Sequence, residues 1–377
     1  MPPIHVMLKP ASGACNMHCR YCFYVDEMQH RTTACYGTMS LQTLEAVIQR
    51  SLAFAQGSCT FLFQGGEPTL AGLDFFRAAL VFEKKWNVNK VIIQHGLQTN
   101  GYAIDEEWAE FFAQNNFLVG VSLDGPKEIH DANRVDALGQ GTYQKVMRSI
   151  SLLKKHKVEF NILTVITEQS ARHTNKIYGF FQRNDLRYQQ YIPCLSGLEE
   201  AIQENTCVLT AKGFETHLKT LFDLWYQQAK RGNLEYNRYF MNLLAILNGQ
   251  QPEACEMQGI CSRQFVVEAD GSVYPCDFYM LDEYCLGNLI TDSFEDIEVK
   301  RSQIRFIEQS IQLKSACQDC RWFRLCRGGC RRYWEPINAV QPRHIFCEAY
   351  QHFFAYAEPK LKQLQQQLRI ANYMRKC

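Results

Sequence analysis

From its N-terminus to about residue 235 the chain alternates short apolar runs with longer stretches whose apolar residues recur every three to four positions. The short runs are HVMLKP, CTFLFQ, KVIIQHGL, FLVGVSL, FNILTVIT and YQQYIPC. Between them lie LQTLEAVIQRSLAF, DFFRAALVFEKKW, DEEWAEFFAQNN, YQKVMRSISLLKKH and NKIYGFFQRN, each with a helical period. Apolar runs joined by amphipathic helices predict repeated βα units on a parallel sheet. Six strands are too few to close an eight-stranded barrel. The expected architecture is therefore α/β, an open, partial (β/α)6 barrel of TIM-like layout, with its chemistry at the C-terminal strand ends.

Residues 211–231 predict a further amphipathic helix, and YFMNLLAILNG continues helical. After Gln250 the texture changes. In QFVVEADGSVYPCDFY, Asp270-Gly271 stands between two β-type runs and predicts a hairpin. Short irregular segments dense in cysteine follow. The tail from about 348 reads as a closing helix, broken or kinked at Pro359. The expected organisation is a partial barrel over 1–235, a helical linker over 236–253, a small cysteine-rich domain over 254–347 and a C-terminal helix over 348–377.

Charge changes this picture little. Lys+Arg number 40 against 39 Asp+Glu, which gives no global reason to expect nucleic acid or an anionic membrane as partner. The opening MPPIHVMLKPASGAC has no secretory pattern, and no stretch approaches the ~20 apolar residues of a spanning helix. A cytoplasmic protein is expected.

Cysteine changes it a good deal. There are 17, an odd count that suits a complete disulfide set poorly, and without an export signal clustered thiols point to metal or catalysis. Three sit at Cys15, Cys19 and Cys22, in the loop after the first strand, and nine lie from Cys255 to Cys347. A core using cysteine as a small hydrophobe would scatter it. A cubane of four irons normally takes four cysteines, so three on one loop leave one iron open to a small molecule. A zinc loop is the other reading of that spacing.

The pattern Cys15-x3-Cys19-x2-Cys22, with Tyr21 before its last cysteine, resembles the signature of the radical S-adenosylmethionine superfamily. That resemblance implies that the open iron chelates S-adenosylmethionine, whose reductive cleavage gives methionine and a 5′-deoxyadenosyl radical. Gly65-Gly66-Glu67-Pro68, after the second strand, resembles the superfamily's GGEP motif, which contacts the cofactor's methionine amino group. Glycines let a backbone approach a ligand closely, and Glu67 has the charge to pair with an ammonium. A tight strand-to-helix turn with Pro68 at its start is the plainer reading. Gln98 and Asn100 end the third strand, and Ser122 and Asp124 end the fourth, followed by His130 and Arg134. Facing one mouth, such groups suit a ribose, a carboxylate and a peptide backbone, although each alone is commonly a cap or turn former. By resemblance Ser122 and Arg134 contact the cofactor and Leu195 contacts its adenine. Arg134 has the planar fork that binds a carboxylate bidentately.

Downstream, Cys255-x5-Cys261-x14-Cys276 is followed by Cys317-x2-Cys320-x5-Cys326-x3-Cys330 and by Cys347. Eight cysteines suffice for two fully ligated cubanes, and a pair of zinc ribbons is the alternative. The field resembles the SPASM domain of peptide-modifying radical enzymes. That likeness implies one auxiliary cluster on Cys255, Cys261, Cys276 and Cys330 and a second on Cys317, Cys320, Cys326 and Cys347, hence three [4Fe-4S] clusters in all. Cys35, Cys59, Cys194, Cys207, Cys285 and Cys377 read as ordinary thiols, with Cys194 kept open because it ends a strand near the mouth.

The strings YPCDFY (274–279), WFRLCRGGCRR (322–332), FQGGEPTLAGL (63–73) and LVGVSLDGPKEIHDANR (118–134) resemble those of anaerobic sulfatase-maturating enzymes, over nearly the whole chain. The family resemblance implies oxidation of an active-site Cys or Ser in a nascent, unfolded sulfatase polypeptide to Cα-formylglycine, beginning with removal of a β-hydrogen. It assigns the base to Asp277, next to ligand Cys276, and implies a low-potential electron donor such as flavodoxin or ferredoxin. A monomer is expected. Arg327, Arg331 and Arg332 suit a substrate carboxylate, cluster charge or a solvated face equally. Two other functions compete: a maturase that crosslinks a small ribosomal peptide, and a zinc-binding scaffold without catalysis.

Overall fold

The six apolar runs become the first six of ten strands in the computed structural model, which describes residues 3–198, 207–312, 317–334 and 343–374. The strands are β1 (Ile4–Leu8), β2 (Ser58–Phe63), β3 (Ile92–Thr99), β4 (Phe117–Ser122), β5 (Phe160–Ile166), β6 (Tyr188–Pro193), β7 (Tyr236–Asn237), β8 (Phe265–Val267), β9 (Ser272–Tyr274) and β10 (Gly287–Asn288). Cys377, expected as an ordinary thiol, lies outside the described residues. No helix among the described residues is long and apolar enough to cross a membrane.

The chain divides into two compact units. The first takes residues 1–123, 130–161 and 263–306. In it β1 to β4 run parallel in sequence order, and β8 adds to the free side of β1, also parallel, with Val6 opposite Phe265. The hairpin of β8 and β9 forms at Asp270-Gly271 as the sequence predicts, with Gly271 at φ 91°, and β10 pairs antiparallel to β9. The compact units thus do not follow chain order. Residues 263–306 pack with the N-terminal segment because β8 extends its sheet, a pairing between distant segments that leaves no local trace in the sequence.

Local chemistry explains the helices of this unit. Ser40 caps Leu41–Phe54 by accepting from Thr43 N, and Asp105 caps Glu106–Gln114 by accepting from Trp108 N. The helices Leu73–Trp86 and Glu106–Gln114 bury an aromatic cluster against β2 and β4: Phe63 meets Phe76 edge-on at 4.9 Å, Trp108 meets Phe76 at 5.2 Å, and Phe111 and Phe112 lie 5.5 Å from Phe117. Each such ring contributes about 1.5–3 kcal/mol by leaving water. On the other side Phe54 stacks on Phe294 at 4.7 Å and Phe265 of β8 meets Phe294 edge-on at 4.8 Å.

The second unit takes residues 124–129, 162–262 and 307–377. Here β5, β6 and β7 run parallel. The helical stretch expected from 211 onward is two helices, Ala211–Lys230 and Arg238–Leu247, because Gly232 (φ 84°) ends the first and β7 intervenes before Asn237 caps the second. The closing helix Cys347–Met374 runs unbroken through Pro359. Pro359 and Ala355, whose carbonyl loses its usual partner, are both exposed, so water can take that bond. Phe353, Ala357, Leu361 and Leu364 are meanwhile buried, with Phe353 against Phe222 at 5.7 Å.

One buried ion pair anchors the first unit. Arg31 Nη1 donates to Glu268 Oε2 at 2.8 Å with both side chains sealed from water, and Nη2 donates to the Ala34 carbonyl. It ties the segment after the helix Phe23–Gln29 to the end of β8. Arg31→Met should destabilise the protein by about 3–5 kcal/mol in urea denaturation, since it strands a buried carboxylate, while Arg31→Met combined with Glu268→Leu should recover most of the loss.

Candidate active site

The predicted mouth lies at the ends of β1 to β4, within the first unit. The cysteine loop leaves β1 through turns at Ser12 and Ala14, whose amides donate to Lys9 and Ala11 carbonyls. His18 N and Arg20 N then donate to the carbonyls of Val135 and Asn133, which clamps the loop onto the segment after β4. Cys22 N donates to the Cys19 carbonyl, and Cys22 is the N-cap residue of the helix Phe23–Gln29. All three thiols are half-buried. Burial pushes Cys15 up to about 12, with Glu67, Cys19 and Cys22 adding anionic opposition, and burial raises Cys22 as well. Arg134, itself buried, lies with Nη1 3.9 Å from Cys19 Sγ and its guanidinium 5.3 Å from the Tyr21 ring centroid.

The glycine pair sits edge to edge with that loop. Gly65 and Gly66 have φ 99° and 51°. A Cβ on Gly66 would come 2.2 Å from the Ala14 carbonyl oxygen, and one on Gly65 2.3 Å from Lys9 Cε, so no side chain fits at either. Glu67 N donates to Ala14 O at 2.8 Å. Its carboxylate is fully buried: Oε1 accepts from Thr69 N, Thr69 Oγ1 and Thr99 Oγ1, and Oε2 accepts from Asn100 N at 2.7 Å. Burial raises its pKa and these donors oppose the rise. The carboxylate ties the end of β2 to the end of β3, while the glycines face the cysteine loop.

Of the other predicted groups, Gln98 Nε2 donates to Ser122 Oγ at 3.3 Å across β3 and β4, and both are half-buried. Asn100 Nδ2 donates to Asn16 Oδ1 at 2.8 Å and lies 3.6 Å from Cys15 Sγ. His130 is fully buried beside Thr142 Oγ1 at 3.0 Å. In the second unit, buried Asp124 accepts from Val165 N, Leu195 is half-buried after β6, and burial pushes the Cys194 thiol up to about 12. Arg332 Nη2 donates to the Ser196 carbonyl at 2.8 Å, one residue after Leu195.

Asp277 carries the clearest geometry. It follows Cys276 beyond β9 and is nine-tenths buried. Its Oδ2 accepts from Tyr24 Oη and Gln64 Nε2, both at 2.7 Å, while Oδ1 has no hydrogen-bond partner. Burial raises its pKa, opposed by the Lys9 charge and the two donors. Phe23 packs on Phe278 at 4.6 Å, which seats the helix after the cysteine loop against this strand end. Sequence reading missed Tyr24, Gln64 and Lys9. Tyr24 stands two residues after Cys22 and Gln64 immediately before Gly65, so position beside the two motifs was the available signal.

The second unit gathers the later cysteines in two groups. Cys255 and Cys261 are the sulfur neighbours of Cys330, whose thiol burial drives upward. Cys317, Cys320 and Cys347 are those of Cys326, pushed up to about 12, and these four line one cleft with Trp322, His344 and Tyr350. Cys276 lies in the first unit.

A model of the radical SAM superfamily matches residues 10–181, and a model of the SPASM iron–sulfur cluster-binding domain matches residues 255–321. Fold and site thus define a radical S-adenosylmethionine protein with a SPASM domain. The cysteine-type anaerobic sulfatase-maturating enzyme of Clostridium novyi (strain NT) is 45% identical over 356 residues, 94% of this chain and 95% of its own. The serine-type enzyme of Bacteroides thetaiotaomicron is 30% identical over 399 residues, 99% of this chain and 95% of its own. The solved structure of native anSMEcpe with bound AdoMet and Cp18Cys peptide matches at TM-score 0.92 and 44% identity, covering 97% of this chain and 100% of that one. The chain belongs to the family of anaerobic sulfatase-maturating enzymes. Membership implies iron–sulfur clusters and S-adenosylmethionine, and the residues present fit them: three half-buried thiols share one loop, where a metal cation would stabilise their thiolates, and side-chain-free glycines leave room beside them.

The glycine cradle can be tested against an internal control. Gly72 also has positive φ (79°) but open space around its missing Cβ. Gly66→Ala should weaken S-adenosylmethionine binding at least about tenfold, read by equilibrium dialysis, because the new methyl drives the cysteine loop aside. Gly72→Ala should cost only about 1 kcal/mol of stability and leave cofactor binding intact.

Proposed function

We propose that this chain oxidises an active-site cysteine of an unfolded sulfatase segment to Cα-formylglycine, with Asp277 as the base. The carrying observation is the Asp277 carboxyl, buried, held by one oxygen and open at the other, in the residue after Cys276. Cysteine is favoured over serine as target because identity is 45% to the cysteine-type relative and 30% to the serine-type. Peptide recognition is supported by the Cp18Cys peptide bound in the structurally similar anSMEcpe.

In this reading Cys15, Cys19 and Cys22 hold the catalytic [4Fe-4S] cluster. The two cysteine groups downstream hold two auxiliary clusters, with Cys276 completing the set of Cys255, Cys261 and Cys330. When bound, cluster and S-adenosylmethionine supply the one-electron cleavage that removes a hydrogen atom from the substrate β-carbon. The protein does the rest. Gly65 and Gly66 give the cofactor backbone access, and Gln98, Ser122, Arg134 and Leu195 line its remaining surface, Arg134 toward a carboxylate. Tyr21 backs the Arg134 guanidinium. Asp277 Oδ1 takes the proton from the target thiol, and Tyr24 and Gln64 fix its orientation so that no rotamer search is needed when substrate arrives. Loss of one further electron, for which an auxiliary cluster would be the acceptor, leaves a thioaldehyde that water hydrolyses to the aldehyde with release of hydrogen sulfide. The partial barrel of 1–235 and the cysteine-rich segment of 254–347 divide these tasks. Flavodoxin or ferredoxin is the proposed electron donor, and the protein works as a cytoplasmic monomer.

Asp277→Asn keeps shape and hydrogen bonds but loses the base. It should still cleave S-adenosylmethionine while aldehyde formation falls about 10²- to 10⁴-fold, measured by mass spectrometry of peptide product under anaerobic conditions. Normal aldehyde yield from that variant removes Asp277 from the role. With paired peptides differing only in Cys or Ser at the target, the Cys peptide should be converted faster. Cofactor cleavage with aldehyde on neither peptide rejects the maturation reading.

A further inference from the structure

Cys317, Cys320, Cys326 and Cys347 line one cleft of the second unit, and His344 and Gln351 line it with them. His344 is buried. Its ring is fixed by three edge-on aromatic neighbours, Tyr333 at 5.3 Å, Trp334 at 5.5 Å and Tyr350 at 5.5 Å. Backbone ties place it between two of the thiols. The His344 carbonyl accepts from Cys347 N at 3.0 Å. At the other edge Gly329 has φ 64°, and a Cβ there would lie 2.5 Å from His344 Nε2. Gly329 N in turn donates to the Cys326 carbonyl at 3.2 Å. The Nε2 edge of the ring therefore rests against the turn that leaves Cys326, where only a glycine gives it room.

One hydrogen bond fixes the ring's proton. Phe346 N donates to His344 Nδ1 at 3.0 Å. A ring nitrogen that accepts carries no proton, so the neutral ring has its N–H at Nε2. His344 thus brings a donor to the cleft. A second donor comes from the closing helix. Gln351, one turn after Cys347, donates from Nε2 to Cys347 Sγ at 3.4 Å. The other downstream group has a different neighbour: Cys255 Sγ stands 4.0 Å from Glu256 Oε2, and an ionised carboxylate only accepts.

We infer that His344 and Gln351 are hydrogen-bond donors to the sulfur of an iron–sulfur cluster on Cys317, Cys320, Cys326 and Cys347, and that they raise its reduction potential. The inference rests on the reading that these four cysteines hold an auxiliary cluster. Reduction adds one electron and no proton to such a cluster, so its sulfur becomes more negative. N–H groups bonded to that sulfur stabilise the reduced form more than the oxidised one. His344, sealed from water, contributes more than exposed Gln351, whose amide water can replace. Both act on the electronics of the cluster and leave its ligand set intact.

A redox titration with dithionite as reductant, followed by electron paramagnetic resonance of the anaerobic holoenzyme, reads this without turnover. The signal of this cluster is the one altered in Cys347→Ser. At the wild-type midpoint, His344→Leu should lower its reduced-to-oxidised ratio about tenfold, a downward shift of about 59 mV for one electron. His344→Gln keeps an N–H donor and should recover part of the loss. Gln351→Leu should lower the ratio about threefold. Gln351 is exposed, so this variant decides the matter if His344→Leu fails to assemble the cluster. A midpoint that stays in place in either variant, at wild-type iron content, overturns the inference. If Cys347→Ser alters no signal, the cluster assignment itself is rejected and the inference with it, so the two failures are told apart.

Discussion

Burial makes a thiol costly to ionise, and a bound metal cation offsets that cost. Burial raises Cys15 and Cys22, with Glu67, Cys19 and Cys22 adding anionic opposition at Cys15, and the surrounding structure holds all three cysteines on one loop. The loop is clamped by amides reaching the carbonyls of Val135 and Asn133. Its flank is closed by Gly66, whose missing side chain admits the Ala14 carbonyl. The buried Glu67 carboxylate then binds the glycine turn to the end of β3. A metal on the three thiolates would be held by a loop whose backbone is tied by hydrogen bonds on both flanks.

The same strand ends carry the second half of the chemistry. Helix Phe23–Gln29 begins at Cys22 and presents Tyr24 to Asp277, so the segment that completes the thiol trio also orients the Asp277 carboxyl. β8 and β9 bring Asp277 to this place by adding to β1, and Gln64 approaches from the end of β2. Asp277 and the cysteine loop therefore share one sheet and one helix. Movement of either would disturb the other, and the buried pair of Arg31 and Glu268 resists that movement.

Much of this was legible in the sequence because the periods are strong. All six apolar runs are strands, and the segments of helical period are helices within a few residues. The Asp270-Gly271 turn and the cysteine spacings are equally local signals. What the sequence concealed is long-range. Nothing in QFVVEA announces a parallel pairing with β1, so the packing of residues 263–306 with the N-terminal segment left no local signal. Tyr24 and Gln64 lie 253 and 213 positions from Asp277 along the chain, and each is unremarkable alone. Glu67 read as a group aimed at a ligand, and the sequence carries no sign that its oxygens also accept from Thr69, Thr99 and Asn100. Pro359 read as a break or kink, and its exposed position lets the helix run on through it. In each case burial and partners decided the outcome, and neither is written in residue order.

The central claim is that the thiol trio holds iron with one coordination position left for S-adenosylmethionine. Electron paramagnetic resonance of the anaerobically reduced holoenzyme, with and without S-adenosylmethionine, tests it most directly. The account predicts that one iron–sulfur signal shifts when S-adenosylmethionine is added. In Cys15→Ala/Cys19→Ala/Cys22→Ala that signal should be missing while the remaining ones persist unshifted. Signals that all ignore S-adenosylmethionine, or zinc in place of iron on this loop, would contradict it.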